Sequence, residues 1–263
     1  MTGPTELAST YDAIYLSPHL DDVAFSCGAQ IHARVRRGER VLVVTVFAGA
    51  APPPEKLSAF AVSLHRRWGL ELDDDPMETR RAEDRRALDV LGATCLQLDL
   101  QDAIYRLDAG GRPLYPGLVS LFRSEREEDR VEAGIERALR ELPESPFVAA
   151  PLAVGNHVDH RLLARAARAS FAAGALWLYE DYPYAESWRA RRRSAARRGR
   201  WETRAEEAAD EDVLAKCDAI SCYASQLGSA FGDRARLERR VRRFLARRGG
   251  ERLWRAGGSG DAE

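Results

Sequence analysis

The chain has 263 residues, of which 45% are apolar, and this is enough to bury one large core. Its 40 basic and 41 acidic side chains nearly cancel, which excludes a protein drawn as a whole to nucleic acid or to an anionic membrane. No run of the sequence approaches the roughly 18 apolar residues of a membrane span. Residues 1–11 lack the pattern of a signal peptide, so we expect a cytoplasmic protein.

Apolar and amphipathic segments alternate along the chain. The apolar ones are rich in β-branched and aromatic residues, as is typical of buried strands. They span residues 13–17, 41–47, 95–100, 147–152 and 175–180. Helices are predicted at residues 23–37, 79–91 and 160–173, each followed by a glycine suited to the left-handed position that ends a helix, namely Gly38, Gly92 and Gly174.

The order of these segments predicts the fold class. Strands without regular polar alternation, separated by helices, indicate a mostly parallel sheet that is covered on both faces. We therefore predict a Rossmann-like, three-layer α/β fold for residues 1–188. In such a sheet a site forms where the carboxyl ends of strands pass into loops, so the residues directly after each strand are the first candidates.

One long connection interrupts this alternation. Residues 48–76 are too many for a simple link between a strand and a helix. We expect them to form a surface excursion that borders the site, with Phe60, His65 and Trp68 as its anchors.

The character of the chain changes after residue 188. Residues 189–263 are predicted to form a helical extension packed on the core, with helices near residues 212–226 and 233–248. The arginine-rich stretch 189–204 is interpreted as a solvated face, because acidic runs follow it. The tail from Gly249 is predicted to be mobile.

The turn after the first strand carries side chains that bind metals. His19, Asp21 and Asp22 lie between the predicted strand and the first predicted helix. A catalytic zinc site typically takes three nitrogen or oxygen ligands from the protein and keeps one position open. The alternative is that the two aspartates merely cap the helix, since aspartate is common at helix starts.

The turn after the fourth predicted strand has a similar composition. His157, Asp159 and His160 follow it and open a helix, so His160 can supply a third ligand. Three of the five histidines therefore lie in two short turns beside aspartate, which favours a metal site over two helix caps. The other two, His32 and His65, have no neighbouring ligand types and are interpreted as structural or surface residues.

Both turns resemble motifs of a known family. The run from His19 to Asp22, together with Gly28, resembles the HPDD motif and trailing glycines of the LmbE-like, or PIG-L-type, de-N-acetylases. The run from His157 to His160 resembles their second motif, HPDH. The segment from Arg80 to Asp84 is similar to the family's R-x-x-E helix, and the resemblance covers roughly residues 11–185.

The sequence departs from the family pattern at four places. Leu20 and Val158 stand where the family has proline, Val23 where glutamate is frequent, and Ala29 in place of the second glycine. All of the residues that correspond to ligands and proton carriers are retained.

The resemblance implies a zinc-dependent hydrolase that removes an N-acetyl or other N-acyl group from an amino sugar or its conjugate. His19, Asp22 and His160 would bind one zinc ion per chain, with another divalent metal as an alternative. Asp21 would take a proton from the metal's water, and a protonated His157 would stabilise the oxyanion. Either of these two residues could protonate the leaving amine. Asp159 is expected to orient His157 or His160.

Three further residues are candidates for contact with the substrate. Arg80 would meet the polar groups of a sugar or pair with the carboxylate of Asp21 or Asp22. Asp102 follows the third predicted strand and would accept substrate hydroxyls or cap a loop. Tyr182 would offer its ring to a sugar or pack in a turn.

Two other functions stay open at this point. One is a metal-dependent amidase that acts on a non-sugar N-acyl substrate. The other is a non-catalytic module that binds a nucleotide or a glycan, because α/β folds host many functions. Under either enzymatic hypothesis the partner is a small molecule and not a nucleic acid, and formation of a homo-oligomer is left open.

Overall fold

A seven-stranded sheet forms the centre of the protein. The computed structural model describes residues 7–70, 74–123, 125–126, 129–193 and 200–256. The strands are β1 (Ala13–Ser17), β2 (Val41–Thr45), β3 (Thr94–Gln97), β4 (Val148–Pro151), β5 (Leu176–Tyr179), β6 (Trp201–Glu206) and β7 (Glu251–Ala256). Their order across the sheet is β3-β2-β1-β4-β5-β7-β6. Strands β1 to β5 are parallel, and the last two pair antiparallel, so the predicted Rossmann-like α/β class is confirmed.

Ten helices are described around this sheet. They are α1 (Asp22–Arg36), α2 (Ala59–Arg67), α3 (Pro76–Leu91), α4 (Leu118–Arg123), α5 (Glu132–Arg140), α6 (Val158–Ser170), α7 (Trp188–Arg193), α8 (Asp210–Ser221), α9 (Ala224–Ala230) and α10 (Arg234–Arg248). None of the helices described is long and apolar enough to cross a membrane.

The predicted helix ends are correct at two glycines and wrong at the third. Gly38 and Gly92 have φ values of 84° and 72°, the left-handed conformation that glycine adopts without steric cost. Helix α6 instead ends at Ser170, because Phe171 takes an extended conformation and packs against the core. Gly174 therefore has no role in ending the helix.

Alternate residues of the parallel strands β1 to β5 enter two hydrophobic layers. Ile14 and Leu16 of β1 face the layer that contains α5 and α6, whereas Ala13 and Tyr15 face the layer that contains α1, α3, α8 and α10. This alternation follows from the two-residue period of a strand. Both faces of the sheet are thus covered, and its carboxyl edge remains for a site.

The excursion between β2 and α3 is partly helical. It contains a short 3-10 turn and helix α2, and it is anchored by His65, which is 5% exposed. The Nε2 atom of His65 lies 2.7 Å from the hydroxyl of Tyr105, and its ring stacks on Trp68 at 5.5 Å. His32 is also structural, since its Nδ1 atom lies 2.8 Å from a carboxylate oxygen of Asp212.

The extension contains strands as well as helices, and the same sheet continues across residue 188. The arginine-rich stretch forms α7 and the start of β6, while its residues 194–199 lie outside the described residues. A boundary at residue 188 stays a prediction.

The predicted mobility of the tail from Gly249 is wrong for residues 251–256, which form β7. Glu251 explains why: its carboxylate lies 2.5 Å from Lys216 Nζ and accepts hydrogen bonds from the backbone N–H groups of Ala29 and Gln30. Glu251 and Lys216 are 2% and 1% exposed, and a buried charge of this kind requires a partner. Residues 257–263 lie outside the described residues.

Candidate active site

The turn between β1 and α1 is held by local hydrogen bonds. The Ser17 hydroxyl donates to the carbonyl of His19 at 2.7 Å and accepts from the backbone N–H of Val23 at 3.1 Å. Asp21 precedes the helix with φ 155° and ψ −32°, a conformation that L-residues rarely adopt. Strained residues of this type concentrate at functional sites. The turn thus directs His19, Asp21 and Asp22 to the carboxyl edge of the sheet.

Three donor atoms from the two predicted turns converge at this edge. Asp22 Oδ2 lies 3.1 Å from His19 Nδ1 and 3.2 Å from His160 Nε2. Zinc ligands at about 2.0–2.2 Å in tetrahedral geometry stand about 3.3 Å apart, so these separations and this donor set fit a zinc ion. The structure therefore brings Asp22 into contact with both predicted histidine ligands. His157 belongs to the same cluster, since ligand atoms of His19, His157 and His160 all lie within 4.8 Å of one another.

Each histidine of this trio is oriented by a second carboxylate. Asp159 Oδ2 lies 3.0 Å from His19 Nε2, and Asp181 Oδ1 lies 2.7 Å from His160 Nδ1. Both aspartates are almost completely buried. Metal-binding histidines are commonly held in this way, because a carboxylate at the second nitrogen fixes the tautomer and the ring orientation.

The expected partner of Asp159 is corrected by this geometry. Its carboxylate contacts His19, the guanidinium of Arg106 and the backbone N–H of Ala103, and not the ring of His157 or His160. The reason is its position in the first turn of α6, where the side chain faces the end of β1. Arg106 lies beside it and holds the pKa of Asp159 well below its usual range, against the effect of burial.

The electrostatics around His160 favour a cation. Burial lowers the pKa of its imidazole, but Asp22 and Asp181 outweigh this and raise the pKa to about 10. The same negative charge stabilises a divalent metal in place of the proton.

Asp21 lies beside the trio but is not part of it. Burial and the neighbouring Asp22 raise the pKa of its carboxyl group to about 7, and Arg80 opposes this. Arg80 Nη2 lies 3.7 Å from Asp21 Oδ2, and the guanidinium sits 4.5 Å over the ring of Trp68. Arg80 therefore pairs with a carboxylate and also lines the cavity above the site, so both roles predicted for it are compatible with the structure.

His157 forms the N-cap of α6 and faces the same cavity. Its Nδ1 accepts the backbone N–H of Asp159 at 3.3 Å, so the proton of a neutral ring resides on Nε2. Burial and the nearby His19 hold the pKa of His157 well below its usual value. The structure thus favours a neutral imidazole over the protonated form expected from the sequence, and a neutral ring still donates through Nε2.

A cavity of about 270 Å³ opens over these residues. Its polar floor includes His19, Asp21, Asp22 and His157, and its walls include Trp68, Phe122, Tyr182 and Tyr184. The surface excursion therefore borders the site, as expected, through Leu64 and Trp68.

Asp102 and Tyr182, the two remaining candidates for substrate contact, both line the cavity, but their polar groups have different partners. Asp102 caps its own turn by accepting the N–H of Ile104 at 3.1 Å, and its other oxygen lies 3.8 Å from His19 Nε2. Tyr182 is 2% exposed, donates its hydroxyl to Glu186 and stacks on Phe231. Its hydroxyl is therefore engaged within the protein.

Sequence reasoning missed Arg106 and Phe122, and it did not predict that Asp181 orients His160. Asp181 had a usable signal, because it follows β5 at the same sheet edge as His19 and Asp22. Arg106 had no such signal, since it meets Asp159 across 53 residues of chain.

Fold and site together define an α/β protein with a centre of two histidines and one aspartate, suited to a divalent cation. The family model described as PIG-L, GlcNAc-PI de-N-acetylase, matches residues 14–171. The chain belongs to this family.

Two curated relatives have the same activity in their names. The chain is 30% identical over 185 residues to the 2'-N-acetylparomamine deacetylase of Niallia circulans, which covers 65% of this chain and 66% of that protein. It is 34% identical over 176 residues to the Streptomyces fradiae protein of the same name, and the match covers 65% of this chain and 57% of that protein. The matches thus span somewhat less than two thirds of these relatives.

A solved structure resembles the chain over nearly its full length. It is the zinc-inhibited form of a teicoplanin deacetylase, with a TM-score of 0.81 and 28% sequence identity. The similarity covers 95% of this chain and 99% of that one, so it includes the C-terminal extension.

Proposed function

We propose that this protein is a zinc-dependent hydrolase that removes the acetyl group from an N-acetylated amino sugar or amino-sugar conjugate. The observation that carries the proposal is the convergence of His19, Asp22 and His160 with Asp21 beside them and outside the ligand set. Family membership and the names of the relatives support the N-acetyl amide as the bond that is cleaved and an amino sugar as the substrate.

His19, Asp22 and His160 would hold a divalent metal, which would supply Lewis acidity toward the amide carbonyl and toward water. Asp21 is placed to accept the proton of the attacking water, because its carboxylate shares the cavity floor with the ligands. The neutral His157 donates from Nε2 to the carbonyl oxygen as negative charge develops there. The carbon–nitrogen bond then breaks, and the proton taken by Asp21 is available to the departing amine.

The cavity walls support a sugar substrate. Trp68, Phe122 and Tyr184 present aromatic surface above a polar floor, an arrangement suited to a ring with one apolar face. The volume of about 270 Å³ is small, which favours entry of a single acetamido sugar rather than a long acyl chain.

Mass spectrometry on a substrate panel tests this function. Zinc-loaded protein is incubated with N-acetylated amino sugars, N-acetylparomamine among them, and with non-sugar N-acetyl amides, and acetate release is followed. We expect turnover of amino sugars only. Asp21→Asn should retain zinc and lose about 10²–10⁴-fold in kcat, the usual contribution of a general base.

The exposed Asp89→Asn is the control and should match the parent protein. Equal turnover of non-sugar amides would support the amidase hypothesis instead. Undiminished kcat in Asp21→Asn would reject Asp21 as the proton acceptor.

A further inference from the structure

Helix α10 has two faces that differ in how their arginines are neutralised. On one face Arg234 and Arg242 pair with Glu238 at 3.1 and 2.8 Å, with Asp218 and Asp210 as additional partners. The other face carries Arg236, Arg239, Arg243 and Arg247. Within the described part of the chain, no carboxylate oxygen lies within 4.0 Å of these four guanidinium groups.

The face without carboxylate partners is exposed to solvent. It forms one wall of a cavity of about 830 Å³, and seven of the nine residues that line this cavity are arginines. Arg240 and Arg248 belong to it, but their guanidinium groups are already held by Glu186 and Glu180. The lining thus has far more positive than negative charge.

The concentrated positive charge of this cavity favours binding of an anion from solution. At physiological ionic strength, salt screens the interaction between two exposed charges strongly only beyond about 8 Å. An anion inside the cavity therefore interacts with several guanidinium groups at once. The planar guanidinium donates paired hydrogen bonds that match phosphate oxygens. We propose that this cavity binds a small molecule that bears a diphosphate or triphosphate group.

Shape and charge select this ligand class. The volume lies in the range of about 300–1,000 Å³ that is typical of small-molecule sites. A single carboxylate would neutralise one guanidinium of the four, whereas a diphosphate or triphosphate offers several charges in a compact form. Nucleic acid spreads its charge along an extended backbone, which suits an open stripe more than a cavity.

The cavity lies beside the catalytic pocket but does not share its reacting groups. Tyr182 and Tyr184 line the catalytic pocket, while Glu186 of the same segment lines the arginine cavity. None of the arginines on the open face contacts a predicted metal ligand. The proposal is therefore independent of the deacetylation reaction.

Isothermal titration calorimetry on the full zinc-loaded chain tests the proposal. The titrants are inorganic orthophosphate, pyrophosphate and tripolyphosphate, each at about 150 mM salt, which is physiological ionic strength. We expect saturable binding that tightens with each added phosphate. The double variant Arg239→Gln/Arg243→Gln should weaken tripolyphosphate binding by about tenfold or more, because it removes two charge-assisted contacts.

The control is Arg234→Gln/Arg242→Gln, which removes two arginines from the neutralised face of the same helix. It should bind tripolyphosphate like the parent chain. Any chelation of zinc by polyphosphate affects all variants equally, so it does not contribute to the difference between them. Tripolyphosphate should also raise the melting temperature of the parent and of the control, but not of the Arg239/Arg243 variant.

Equal loss of binding in both double variants would show a diffuse charge effect and overturn the proposal. The proposal is also overturned if an RNA duplex or phosphatidylglycerol vesicles bind more tightly than tripolyphosphate through Arg239 and Arg243. Those outcomes would assign the face to a macromolecule or a membrane.

Discussion

The turns after β1 and β4 contain the same kinds of residue, yet the protein uses them differently. In the first turn His19 and Asp22 lie at the proposed metal-binding point, and Asp21 lies beside Arg80 next to it. In the second turn His160 contacts Asp22, His157 caps α6 while its ring stays close to His19 and His160, and Asp159 faces His19. Similar composition therefore predicts that a turn belongs to the site, while the path of the backbone decides what each side chain does.

Replacing the first histidine of each turn should give the largest contrast. We expect His19→Ala to lose zinc and all measurable turnover, since it removes a ligand. His157→Ala should keep zinc and lose about 10²–10³-fold in kcat, the usual effect of removing one oxyanion donor. Metal analysis by mass spectrometry, combined with steady-state kinetics, measures both effects. Loss of zinc in both variants would mean that His157 is also a ligand.

The third residue of each turn gives a smaller contrast. Asp159→Asn should weaken zinc affinity by about 10–100-fold, because His19 loses the carboxylate that orients its ring. Asp21→Asn should leave zinc affinity nearly unchanged. Competition with a chromophoric chelator measures both affinities, and melting temperatures check that Arg106 tolerates the change beside it. If both variants held zinc equally well, the orienting role of Asp159 would be refuted.

The smallest effect concerns Trp68, which supports the first turn from the excursion. Trp68→Phe should reduce kcat/KM several-fold, because a smaller ring weakens the cation–π contact of roughly 0.5–2 kcal/mol that positions Arg80 near Asp21. Trp188→Phe, at an exposed position of α7, is the control. A kcat/KM identical to that of the parent chain would show that Arg80 is held by its other contacts.

Much of the parallel half of the fold could be predicted from sequence. The ends of strands β1 to β5 lie within three residues of the ends of the predicted segments, because buried parallel strands are continuous apolar runs. Strands β6 and β7 were missed. Trp201–Glu206 has charged residues at alternate positions, and three of the six residues of Glu251–Ala256 are charged. Only the pairing of the two strands with each other, and of β7 with β5, makes them part of the sheet.

The structure brings together residues that the sequence predicts as metal ligands, whereas the groups that support them were not predicted correctly. His19, Asp22 and His160 were recognisable because they lie in two short stretches of histidine and aspartate that come between a strand and a helix. The contact of Asp159 with His19 spans 140 residues, and that of Asp181 with His160 depends on how the end of β5 lies against α6. No local pattern encodes such contacts, since they arise from packing between elements.

The contact of Glu251 with α1 has a consequence for the order of folding. Glu251 accepts the N–H groups of Ala29 and Gln30 across more than 220 residues, in the helix that starts at the metal-binding turn. During synthesis from the N-terminus, this helix leaves the ribosome early and gains its carboxylate partner only when β7 emerges. Contacts this distant in sequence form slowly. A nascent chain should therefore carry the complete ligand set long before the helix behind it is locked in place.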